Sequence, residues 1–284
     1  QIMQTVTSLI TGLAMGITIL VGQKIGEKRP EQAGDVIGSG ICLFGVLAAV
    51  LTVLMILGAG FLAGLMHAPD EAFSQTVDYI RICSAGAVFI IAYNVLGSIF
   101  RGIGDSRMPL FTVAAACVFN IGGDLLLVAG FHMGAAGAAL ATVAAQAASV
   151  LLSLAVIRRR TLPFTIGKKN LRFERRLVGR ILALGTPIAL QDLLVSISFL
   201  VILAIVNSMG VIASAGVGVA EKLCAFIMLV ASAYMQSMSA FVAQNMGAGK
   251  PERAKRALLY GIGTSLMAGV TLFYFSFFHG DAMA

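Results

Sequence analysis

The chain has 284 residues, of which 58% are hydrophobic and only 12% charged, with 32 Gly and no Trp. A soluble domain is normally about a quarter charged and cannot hide this much apolar surface, so a water-soluble globular fold is excluded. The formal charge of +7 would suit nucleic acid if it were gathered on one soluble face; its placement along the chain assigns it to membrane topology instead, and no nucleic-acid partner is expected.

A bilayer core takes about 20 apolar residues per helix. Such runs lie near 2–22, 37–66, 79–100, 109–131, 134–157, 181–207, 211–243 and 257–278. They are too long for strands and lack strict alternation, so the predicted fold is an all-α membrane protein, a polytopic bundle of about eight transmembrane helices. The 37–66 run is longer than a span requires and is expected to tilt, to kink at a glycine, or to lie partly in the interface.

The connections alternate in charge. Lys24, Lys28 and Arg29 follow the first run, Arg101 and Arg107 flank the third connection, nine basic residues fill 158–180, and GKPERAKR carries four. The intervening segments HAPDEAFSQTVD, GFHMG and NSMG carry none. Eighteen of the 20 Lys and Arg thus fall in alternate connections, which places those connections in the cytoplasm and both ends of the sequence on the outer side of a bacterial inner membrane. Membrane lipids are the expected surroundings, with anionic-lipid attraction a secondary effect of the same charges. Gln1 opens directly into an apolar run with neither initiator Met nor signal peptide, so the sequence reads as a fragment. Cys42, Cys83, Cys117 and Cys224 fall inside predicted spans without metal-binding spacing and read as small core residues; His67, His132 and His279 fall at outer helix ends.

VGQKIGEKRPEQA (21–33) aligns without gaps to VAQNMGAGKPERA (242–254), with six of 13 positions identical at an offset of 221 residues. Six spans fit between the copies, so both point the same way, as in a transporter built from two parallel six-helix repeats. Two such units need roughly 440 residues, which makes this chain helices two to nine of twelve. The expected organisation is an N-terminal lobe over 1–160, a basic cytoplasmic linker over 161–180, and part of a C-terminal lobe over 181–284.

The fourth and fifth runs form a hairpin turning near 131–134. Residues equidistant from that turn share a depth, which pairs Asp124 with Thr142 and Asn120 with Gln146. Within each helix the two polar residues are four apart and share a face. At a rise of about 1.5 Å per residue, Asp124 sits roughly 13 Å below the outer turn, inside the hydrocarbon. An ionised carboxylate there needs a cation, donors or water, so it takes a proton or holds a metal ion. One charge beside neutral oxygens from Asn120, Thr142 and Gln146 suits Na⁺ or a proton relay better than a divalent ion, with Asp124, Asn120 and Thr142 the expected Na⁺ ligands. Asp192, about 18 Å along its helix from Arg180, is a second intramembrane acid. Gln191, Asp192, Met235 and Asn94 are the candidates for lining a substrate cavity. Neither a paired-His motif nor a Ser/His arrangement appears within the spans, so an enzyme is not expected, and no cofactor beyond a coupling ion.

FRGIGDSRMP (100–109), NIGGDLLL, GAAGAALATVAAQ and FVAQNMGAGKPERA, in this order and spacing, resemble motifs of the multidrug and toxic compound extrusion (MATE) transporters. The resemblance covers the whole chain. It implies twelve helices in two lobes around a cavity of alternating access, and export of organic, often cationic, compounds against entry of Na⁺ or H⁺. In the DinF-like prokaryotic branch a cation site uses positions matching Asn120, Asp124 and Thr142, with a further acid on helix one. Another branch carries a Glu eight residues after the helix-seven proline, where this sequence has Val195. The implied product is a monomeric secondary antiporter for small organic molecules. A lipid-linked oligosaccharide flippase of related architecture would need a strongly basic cavity, and an ion channel would pass ions uncoupled; these are the alternatives.

Overall fold

A computed structural model of the chain describes residues 2–65, 70–160, 162–164, 167, 169–209 and 211–278; His67 and His279 lie outside the described residues. Among the described residues there are nine α-helices: α1 (Ile2–Gly26), α2 (Pro30–Leu65), α3 (Asp70–Ala85), α4 (Ala87–Ile103), α5 (Arg107–Asp124), α6 (Gly134–Arg159), α7 (Arg175–Ser208), α8 (Val211–Gly247) and α9 (Pro251–Phe278). A π-helical segment, Leu125–Gly130, continues α5. Among the described residues seven helices are long and apolar enough to cross a membrane, and α3 and α4, which meet at 51°, pass the same test together as a bent pair. The predicted all-α membrane bundle is therefore the observed architecture.

α2 absorbs its excess length without a break in the helix, over 36 residues. The third span begins earlier than its apolar run, because the polar stretch DEAFSQTVD is already helical in α3. The chain breaks at Gly86, where a Cβ would collide with both methyl groups of Val143 on α6. Glycine here lets α6 lie directly on the bend.

α1 is the central element and packs against α2, α4, α7 and α8. Its Ala14, Ile17, Leu20 and Val21 are fully or almost fully buried and join Val36, Ile37, Ile91 and Val95 in the main core cluster. Small residues permit this density. Gly12 lies against Ala189 of α7, Gly16 against the Ile181 carbonyl, and Gly185 against the Leu13 carbonyl. Elsewhere large side chains such as Leu57, Phe61, Leu110 and Val118 face outward, as lipid-facing positions require. Two cysteines depart from the predicted core role: Cys83 is buried, but Cys117 and Cys224 are exposed on this apolar exterior.

The internal repeat is reproduced bond for bond. In the first copy Glu27, Lys28 and Arg29 donate their N–H groups to the carbonyls of Gln23, Ile25 and Lys24; in the second, Ala248, Gly249 and Lys250 donate to Gln244, Met246 and Asn245. Lys28 (φ 57°) and Gly249 (φ 67°) are the equivalent left-handed residues, closing each helix in a Schellman motif. Pro30 and Pro251 then open α2 and α9, each followed by an acid, Glu31 or Glu252, in the positive first turn. The shared Pro and Glu thus have a helix-start reason, while the shared Gly and Gln meet at the contact between the copies. Gly26 rests on the Gln244 carbonyl and Gly247 on the Gln23 carbonyl, a reciprocal pairing expected of two units related by a two-fold axis.

The segment joining α6 to α7 is fastened to α2. Asn170 Nδ2 donates to Asp35 Oδ1 at 2.8 Å, Ser39 Oγ donates to the Arg172 carbonyl at 3.0 Å, and Phe164 is buried. Described parts of the basic connections meet at one end of the bundle, the basic face: Arg160 Nη1 pairs with Asp105 at 3.0 Å and Gln244 Nε2 donates to the Gly102 carbonyl at 2.9 Å.

Candidate ion site in the α5–α6 hairpin

α5 and α6 pack along their length, with small residues at the seam: Gly123 faces Ala141, and Gly137 faces Leu127. On the basic-face side Ser149 Oγ donates to the Thr112 carbonyl at 3.0 Å in a buried position. Between these contacts lie the four polar residues.

Asn120 Nδ2 approaches Thr142 Oγ1 at 3.5 Å, a long contact, while Thr142 donates its own proton to the Ala138 carbonyl at 3.0 Å. The Thr142 lone pairs are therefore left to accept. Asp124 Oδ1 and Gln146 Oε1 are both buried and receive no hydrogen bond among the described residues. Buried acceptors normally have partners, which sets these two oxygens apart from the other buried polar atoms of the hairpin.

The register differs from the turn-centred expectation. Asn120 was predicted opposite Gln146, but it faces Thr142, one helical turn nearer the connection. The π-helical segment is the cause: Phe131 N–H bonds the Leu126 carbonyl and Met133 N–H the Leu127 carbonyl, so the chain spends extra residues per turn before His132 and Gly134 reverse it at positive φ. Asp124 is the residue on which this segment begins.

Two inward-turned polar side chains outside the hairpin escaped the sequence reading. Tyr79 of α3 is half-buried one helical turn before the buried Cys83. It lay at the edge of an apolar run, and only the packing of α3 on α6 brings it inward. Arg101 was assigned to a loop. Its guanidinium instead turns back along α4 over Gly97, Nη2 donates to Ser98 Oγ at 3.0 Å, and Nε is buried without a partner among the described residues.

The four cavity candidates are not gathered in one place. Asn94 is buried between α1 and α4, accepting from Thr11 Oγ1 at 2.9 Å and donating to the Ile90 carbonyl at 2.8 Å, so its amide is satisfied. Gln191 lines a groove of about 470 Å³ along α7 with Pro187, Ser198 and Phe199. Asp192 is half-buried beside it, its carbonyl accepting from Ser196 Oγ at 2.9 Å. Met235 is exposed on α8. Among the described residues no three His, Cys, Asp or Glu side chains cluster as metal ligands. Of the four hairpin residues, Asn120 and Thr142 are the pair that the structure brings into contact.

The MatE family model matches residues 1–126 and 187–284, two separate stretches of the chain. Among curated proteins, the Probable multidrug resistance protein YoeA of Bacillus subtilis is 29% identical over 272 residues, covering 93% of this chain and 59% of that protein. The FAD transporter of Shewanella oneidensis is 27% identical, over 90% of this chain and 58% of its own length. Among solved structures, a MATE transporter in complex with MaL6 superposes with a TM-score of 0.90 at 24% identity, over 99% of this chain and 63% of the other. The chain thus spans about three-fifths of the proteins it resembles. With both stretches matched and the fold shared, the chain belongs to the MatE family.

Proposed function

We propose that this chain is part of a secondary antiporter that exports small organic, cationic compounds in exchange for Na⁺ or H⁺, working as a monomer in a bacterial inner membrane. The observation that carries the proposal is the pair of bare buried acceptors, Asp124 Oδ1 and Gln146 Oε1, in a hairpin that also offers Asn120 and Thr142. A buried neutral acceptor without a partner costs about 1–3 kcal/mol, and a charged one more. A proton on Asp124, or a Na⁺ among these oxygens with Asp124, Asn120 and Thr142 as ligands, removes that penalty.

The basic face lies in the cytoplasm, following the positive-inside bias. The N-terminal lobe is 1–160 and the C-terminal lobe begins at 181, with the 161–180 linker between them. Ion arrival from outside neutralises Asp124, repacks α5 and α6 around the π-helical segment, and favours the state that releases substrate outward. Only unequal ion affinity in the two states drives such a cycle. Gln191, which lines the α7 groove, and the adjacent Asp192 are the proposed cavity side; Asn94, buried and satisfied by Thr11 and Ile90, is not proposed to line it. Similarity to a probable multidrug resistance protein and to an FAD transporter supports an organic substrate and a transporter rather than an enzyme.

Asp124→Asn in the complete protein tests this. The variant should insert normally yet lose ion-driven dye efflux from vesicles. Efflux unchanged from wild type would reject the site, and ion flux without substrate exchange would point to a channel.

A further inference from the structure

On the basic face a groove of about 290 Å³ lies between α2, α4, α6 and the α6–α7 segment. Leu96, Ile103, Leu154, Ile157 and Phe164 line it, and Arg158 is the one charged residue in its wall. Ile103 is the last residue of α4, and Leu96 lies seven residues further in, so the groove runs from the helix ends to a depth of about 10 Å. Ile41 and Leu154, on its flanks, are 39% and 43% exposed, so it opens sideways to the bilayer rather than into the bundle.

An apolar groove at this depth is not left empty, since its walls would forfeit dispersion contacts and water gains no partners there. Hydrocarbon therefore fills it. The charge at its mouth selects which hydrocarbon. Among the described residues Arg160 is paired with Asp105 at 3.0 Å, and the only other ion pair is Lys24 with Glu27. Arg158 and Arg159 thus keep their charge without a carboxylate, and only Arg158 belongs to the groove wall. A guanidinium binds phosphate oxygens in a bidentate fork, which a zwitterionic headgroup offers with a competing cation and an anionic one without.

We infer that this groove is a binding site for one anionic phospholipid, its acyl chain between α4 and α6 and its phosphate on Arg158. The lipid touches Phe164 and so braces the segment leading into α7. The cytoplasmic placement of the site rests on the orientation proposed above, but lipid selection does not, so the two fail separately.

The test is native mass spectrometry of the complete protein released from nanodiscs of equal phosphatidylglycerol and phosphatidylcholine. One basic residue at an anionic surface is worth about fivefold in affinity, so retained phosphatidylglycerol should exceed phosphatidylcholine by about that factor. Arg158→Gln should bring the ratio near parity, and Arg159→Gln should leave it. Leu154→Trp, which fills the groove from a lipid-facing position, should lower total retained lipid, and it decides the matter if Arg158→Gln fails to insert. Equal retention of both lipids by wild type, an equal loss in the two arginine variants, or undiminished lipid in Leu154→Trp would overturn the site.

Discussion

Gly26 of α1 lies against the carbonyl of Gln244 on α8, and its repeat partner Gly247 lies against the carbonyl of Gln23. The same glutamine that offers its carbonyl also reaches sideways: Gln244 Nε2 donates to the Gly102 carbonyl at 2.9 Å, tying the end of α4 to the crossing. Gly22 and Ala243, a repeat-equivalent pair, face each other one turn deeper, with the glycine's missing Cβ 3.2 Å from the alanine methyl. Backbone therefore meets backbone where the two copies join, on the basic face.

A Cβ at either glycine has no flexible neighbour to push aside, because the obstacle is main chain. Gly247→Ala should separate α1 from α8 and cost about 1–3 kcal/mol, in the range of overpacked sites. Gly45→Ala is the matched control: it lies in helix α2 with nothing within 4 Å, so relief of glycine's entropy should stabilise by about 0.5–1 kcal/mol. Thermal unfolding in one detergent compares them. Equal midpoints for the two variants would remove the crossing from the account.

Much of this architecture was legible beforehand because the bilayer imposes it. Apolar runs located every span, and alternating Lys and Arg located one face, since both signals are one-dimensional. The 21–33 and 242–254 likeness paired Gly26 with Gly247 and Gln23 with Gln244 as equivalent positions, and the structure adds that each glycine rests on the other copy's glutamine carbonyl. What escaped depends on backbone geometry that leaves no pattern. LLLVAG at 125–130 reads equally well as α-helix, so the π-helical turn that moves Thr142 opposite Asn120 was invisible. Arg101 looked like a loop charge because helix ends were judged from apolarity, whereas α4 continues to Ile103 and aims the side chain inward. Tyr79 was missed for the converse reason, lying where a polar but helical stretch meets the apolar run.

Gln146 separates a ligand from a packing residue. Its Oε1 is buried and bare, so as mere packing it destabilises, and Gln146→Leu should then raise stability by removing an unpaired group. As an ion ligand it should in addition lower apparent ion affinity in transport by about tenfold, the lower end of what removing a supporting coordination residue costs. Measuring efflux against Na⁺ concentration and against pH, alongside thermal midpoint, reads both effects. A gain in stability with unchanged ion dependence would strike Gln146 from the site and leave Asp124, Asn120 and Thr142.

The bend at Gly86 holds the hairpin in place, because α6 reaches the cleft between α3 and α4 only where no Cβ intervenes. Val143, adjacent to Thr142 of the proposed ion site, fills that space with both methyl groups. Gly86→Ala should therefore push α6 outward, costing about 1–3 kcal/mol and weakening ion-dependent efflux through displacement of Thr142. Val143→Ala removes the two methyl groups and should cost about 1–2 kcal/mol alone, by loss of buried apolar area. Combined, the substitutions should be less damaging than their sum, since each relieves the collision or void created by the other, with a coupling of about 0.5–3 kcal/mol as contacting pairs show. Thermal unfolding of the four proteins measures that coupling, and strict additivity would mean that the bend does not position α6.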